Sequence, residues 1–168
     1  MQDAIRRTAC ALALTLSLAG QTNSPAPAAS FAIGGAVKSP LTLVTADLAG
    51  MPRETVSVEE QGGEKIAYEG VSLQALLQKA GVDFGTHLRG KALAGYVLAQ
   101  ARDGYEVVFS LGELDPGLGG AHVIVADRRD GKPLFGYQGP FRLVVATDKA
   151  PARSVRMLEK LEVVELRK

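Results

Sequence analysis

The chain has 168 residues, 46% of them apolar and 22% charged, which points to one domain with a real hydrophobic core. Tryptophan is absent, so that core is mainly aliphatic, and 19 glycines without sustained heptads argue against a helical bundle or coiled coil. Of the 19 basic and 18 acidic residues, Arg6, Arg7 and Asp3 fall in the first 30, leaving 17 of each; a neutral domain lacks the clustered positive charge that nucleic-acid binding needs, so any anion site is local.

The N-terminus reads as an export signal over residues 1–30. Arg6 and Arg7 precede a short apolar run, Ala9 to Ala19, and a small-residue and proline stretch follows from Gly20 to Ser30. Cleavage after Ala19 or after Ala28 fits the pattern equally, and the run is too short to span a bilayer comfortably. The chain's single cysteine, Cys10, lies inside that run. Cleavage leaves a domain over residues 31–168 with no disulfide, no thiolate nucleophile and no sulfur ligand for a metal. Export without disulfides fits a bacterial periplasm.

Phe31 to Lys38 reads as the first strand, and Ser39-Pro40 breaks it. Leu41 to Ala49 reads as a strand passing into a short helix with Thr45 as its N-cap. Glu54 to Glu60 alternates apolar and polar as a half-buried strand does. Gln61-Gly62-Gly63 turns the chain, and Lys65 to Tyr68 returns it as a hairpin. Ser72 to Ala80 is the best helix: Ser72 caps it, Leu73, Leu76 and Leu77 form one face, and Gly81 stops it.

Asp83 to Gly90 reads as a loop or weak turn. Ala92 to Ala99 and Tyr105 to Phe109 read as paired strands around Arg102-Asp103-Gly104. Ser110 and Glu113 form a capping box for a short helix. Ala121 to Ala126 is a strand, Asp127 to Pro133 a charged turn, Phe141 to Ala146 a strand with Arg142 as its one charge, and Met157 to Leu166 the closing strand. Strands separated mainly by turns indicate an α+β domain with a mixed sheet or barrel-like core and a few short helices.

No phosphate-binding loop, dinucleotide fingerprint or nucleophile elbow occurs. His87 and His122 have no second ligand at metal spacing, and His122 in an apolar strand reads as structural. A polar constellation remains. Arg102, Asp103 and Tyr105 surround one turn; Arg153, Ser154 and Arg156 follow the last buried strand; Glu60 ends the alternating strand. A heteroaromatic ligand with a guanidine-like edge suits such a set: a carboxylate accepts two hydrogen bonds from that edge, a tyrosine stacks on the plane, and arginines bind carbonyl oxygens. Taken singly, each of these residues also reads as a solvated turn charge.

From about Phe31 to Leu166 the chain resembles the molybdopterin-binding domain of the sulfite oxidase family, and most resembles its short, exported, single-domain members. The matching segments, in order, are FAIGGAVKSPLTLVTADLAGMP, YEGVSLQALLQKAGV, DGYEVVFSLGELDP, DGKPL and GPFRLVVATDKAPARSVRMLEKLEV. Catalytic members hold molybdenum through a cysteine thiolate after a strand like Glu54 to Glu60; here that alignment places Glu60 or a neighbour at the cysteine position. A hard carboxylate does not simply replace a soft thiolate, so the resemblance implies a pterin pocket without a metal. It assigns pterin and phosphate contacts to Arg153, Ser154 and Arg156, and lining positions to Arg102, Asp103 and Tyr105. It further implies a non-catalytic sensor of free reduced pterin. Such a sensor would dock on the periplasmic part of an inner-membrane enzyme of cyclic di-GMP. The competing expectations are a molybdenum oxidoreductase with a non-cysteine ligand, and an interaction domain that binds no small molecule.

Overall fold

The computed structural model of the chain describes residues 28–59 and 62–166. Residues 1–27 of the expected export signal, and Glu60, lie outside the described residues. Two five-stranded sheets organise the domain. The first comprises β1 (Ser30–Gly35), β2 (Leu41–Val44), β5 (Tyr96–Ala101), β6 (Glu106–Ser110) and β10 (Leu158–Val164), in the order β2-β1-β10-β5-β6. It is mixed: β1 runs parallel to β10, while β2, β5 and β6 add antiparallel pairs. The second comprises β3 (Glu54–Glu59), β4 (Lys65–Ser72), β7 (Val123–Arg129), β8 (Lys132–Pro133) and β9 (Arg142–Val145), and is antiparallel throughout. The sheets do not close into a barrel, so the mixed sheet is the form the core takes.

Three short helices are α1 (Thr45–Ala49), α2 (Leu73–Lys79) and α3 (Leu111–Leu114). Leu73, Leu76 and Leu77 of α2 are fully buried, as their spacing requires. In α3 the Ser110 hydroxyl accepts the Glu113 N–H at 3.0 Å, and the Glu113 carboxylate accepts the Ser110 N–H at 3.4 Å. The cap of α1 is Val44, one residue before the expected Thr45. Among the described residues no helix is long and apolar enough to cross a membrane.

One contiguous core gathers inward side chains of both sheets, including Phe31, Val97 and Leu161 from the first and Val125, Leu143 and Val145 from the second. Phe31 and Phe141 meet edge to face at 4.8 Å. A smaller core lies on the other face of the second sheet, around Val56, Ile66, Tyr68, Ile124 and Val144. The segment leading into β10 stitches the sheets together: Leu143 donates to the Val155 carbonyl at 2.8 Å, and Leu158 to the Phe141 carbonyl at 2.9 Å. That seam positions the site described next.

Several expectations change. Residues 127–129 belong to β7 and Lys132–Pro133 form β8, so the expected charged turn narrows to Asp130-Gly131, and residues 92–94 lie in a 3-10 turn before β5. The second strand of the β3–β4 hairpin does not end at Tyr68 but continues to Ser72, because Glu69 and Gly70 form an irregularity within β4 and not its end. His122 lies just before β7 and is exposed, with Nε2 2.6 Å from Glu54 Oε2, so it is a surface partner and not a strand residue in the core.

Candidate functional site

A cleft of about 230 Å³ opens where the β5–β6 turn, the seam before β10 and the start of β9 converge. Asp103, Tyr105, Tyr137, Arg142, Pro151, Ala152, Ser154 and Arg156 line it. The first two come from the turn. Gly104 takes φ +88°, and Asp103 Oδ1 accepts the Tyr105 N–H at 3.1 Å, so the carboxylate braces its own turn with one oxygen. The Arg102 N–H donates to the Met157 carbonyl at 3.0 Å and ties the turn to the seam.

Tyr105 closes the wall. Its hydroxyl donates to the Ala152 carbonyl at 2.5 Å, reaching the 3-10 turn Pro151–Arg153. Pro151 starts that turn with its φ already set and no N–H to satisfy. The turn ends at Ser154, whose N–H donates to the Pro151 carbonyl at 3.0 Å and whose Oγ accepts the Val145 N–H at 3.3 Å.

Arg142 is 2% exposed. Its Nη1 donates to Tyr68 Oη at 2.5 Å and to Gln138 Oε1 at 2.7 Å, and its guanidinium lies 4.7 Å over the Tyr68 ring. Hydrogen bonds and an aromatic face offset the cost of taking the cation out of water. Across the cleft Arg156 stacks 4.7 Å over the Tyr137 ring and donates to its hydroxyl. The cleft therefore presents a carboxylate, two guanidinium groups, two tyrosine rings and a serine hydroxyl. This set can hold a flat polar ring by its edges and its face. Among the described residues no cluster of His, Cys, Asp and Glu could hold a metal ion.

The structure thus brings together Asp103, Tyr105, Ser154 and Arg156 of the residues singled out from sequence. It places Arg102 and Arg153 elsewhere. Arg102 is exposed and reaches the site only through its backbone. Arg153 turns to the other side of its loop: Nε and Nη2 donate to the two Asp148 oxygens at 2.8 and 2.7 Å, and Nη1 to Glu113 at 2.6 Å. Its guanidinium lies 5.1 Å over Phe109, and the two carboxylates raise its pKa above the ordinary arginine value. Tyr137 and Arg142 line the cleft without having been singled out. A lone charge in an aliphatic strand was the signal for Arg142; Tyr137 gave none.

The family model described as the oxidoreductase molybdopterin-binding domain matches residues 21–168. Among solved structures, the sulfane dehydrogenase SoxCD from Paracoccus pantotrophus is similar, with a TM-score of 0.63 and 22% identity. The match covers 82% of this chain and 38% of that one, so the likeness establishes the fold. Comparison with curated proteins gives no match. The chain belongs to the oxidoreductase molybdopterin-binding domain family.

Proposed function

We propose that the protein binds a reduced pterin in this cleft without catalysing a reaction, and passes its occupancy to a membrane signalling partner from the periplasm. The family's cofactor has an organic part and a metal, and the lining treats them differently. The pterin ring fits: Asp103 would accept hydrogen bonds from the amino and ring N–H edge, Arg142 or Arg156 would donate to the ring carbonyl, and Tyr105 or Tyr137 would stack on its face. Molybdenum does not fit: among the described residues no lining side chain supplies sulfur, and the chain's one cysteine is Cys10.

The observation that carries the reading is the pairing of this donor set with a small cavity. At about 230 Å³ the cleft lies below the roughly 300–1,000 Å³ of pockets for drug-sized ligands, which suits one bicyclic ring. Anaerobic titration of the protein with a tetrahydropterin, followed by calorimetry, tests it. Saturable binding that oxidised pterin and guanosine match poorly supports the reading. No heat of binding up to millimolar ligand contradicts it.

A further inference from the structure

We infer that the turn carrying Phe135 is a docking surface for an acidic, apolar-anchored segment of a partner protein. Phe135 is 81% exposed, the most exposed large apolar side chain among the described residues. Its position is fixed, not frayed. Leu134 beside it is buried and donates to the Asp127 carbonyl at 2.8 Å; Gly136 follows at φ +56°, and the Gln138 N–H returns to the Phe135 carbonyl at 3.2 Å. An anchored turn that holds an aromatic ring in water loses little further freedom on binding, which is how interface anchors are built.

A groove of about 290 Å³ lies beside the ring, lined by Arg129, Lys132, Pro133, Leu134 and Gln138 with Asp130. Asp130 is 3.6 Å from Arg129, which leaves Lys132 as the surplus charge, exposed on the two-residue strand β8. An apolar anchor beside the positive charge of Lys132 is complementary to carboxylates flanking an apolar residue.

The groove also touches the cleft. Gln138 lines the groove and accepts from Arg142, which lines the cleft, at 2.7 Å; Tyr137, between Phe135 and Gln138 in sequence, stacks on Arg156 of the cleft. A ligand that re-engages either arginine moves the same turn that presents Phe135. This coupling rests on the pterin reading; the docking surface does not.

The test separates the two. Random dodecapeptides displayed on phage are selected against the ligand-free chain, and the winners are resynthesised for fluorescence anisotropy. The expected winners carry Asp or Glu around a Leu or Phe, and bind Phe135→Ala about tenfold or more weakly. Lys132→Glu weakens them as well. Both variants keep the wild-type affinity for tetrahydropterin, since neither residue lines the cleft. Enriched peptides that are basic, or that bind Phe135→Ala as well as wild type, overturn the docking surface. So does a chain dimer that dissociates in Phe135→Ala. With tetrahydropterin bound, as judged by calorimetry, peptide affinity shifts about fivefold or more in wild type and by less in Gln138→Ala, which keeps only the Tyr137–Arg156 link. An unchanged affinity overturns the coupling alone.

Discussion

Asp103 braces its own turn with Oδ1 and lines the cleft. Asn preserves the acceptor that braces Tyr105 and removes the charge. Asp103→Asn is therefore expected to melt within a few degrees of wild type while binding tetrahydropterin about ten- to a hundredfold more weakly, the scale of a charge-assisted hydrogen bond. Thermal melts and calorimetry on the same samples check both halves. Far from the cleft, Lys38 donates to both oxygens of Asp83 at 2.9 and 3.0 Å and holds that carboxyl below its ordinary range. A carboxyl depressed in the folded state contributes stability fully above its unfolded pKa and loses it as pH falls through the folded one. Lys38→Met raises the Asp83 pKa toward its unfolded value, as NMR titration would read, and so removes most of that loss of stability at acid pH. Residue by residue, the sequence was legible where local chemistry acts. Asp103-Gly104 had to turn, and Ser110 with Glu113 had to cap. It was not legible for Arg153, whose neighbours Asp148 and Glu113 converge only through the fold.

At the scale of elements, pattern located the strands because most alternate buried and exposed residues, while β7 and β9, buried on both faces, read as apolar runs; it stopped β4 short, where a glycine sits inside the strand. The expected strand ended at Tyr68, yet β4 passes on through Gly70. A Cβ there would sit 2.1 Å from the Val125 carbonyl oxygen, so only glycine lets β4 lie against β7 at this irregularity. Gly70→Ala is expected to lose roughly 3 kcal/mol, read as a lower midpoint in urea with the slope unchanged. The loop after β9 gives a second case. Arg153 does not point into the cleft, yet it clamps the turn that forms its wall, gripping Asp148 with a two-toothed fork and Glu113 with the remaining arm. Lysine keeps the charge but not the fork. Arg153→Lys is expected to speed amide exchange over residues 150–155 while exchange in β9 and β10 stays as in wild type. Protection unchanged in the loop would show that Tyr105 and Pro151 hold it without help.

At the scale of the molecule, the two sheets share one core, and the cleft sits at the seam where β9 and the approach to β10 exchange hydrogen bonds. The cleft at this seam touches both sheets, and Tyr137, two residues after Phe135, lines it. The family resemblance was visible because five segments kept their order along the chain, although no one of them identifies the fold. What the sequence did not contain was the convergence of Tyr137, Arg142 and Arg156, which stand on separate elements and meet only after folding. The central claim is a pterin site without a metal, and it is tested most directly on protein purified from its native host. Pterin is released by heat, oxidised and measured by fluorescence, with molybdenum determined in the same sample. The account predicts stoichiometric pterin and only background molybdenum. Stoichiometric molybdenum alongside the pterin would contradict it, and would mean that a donor other than cysteine holds the metal in this fold.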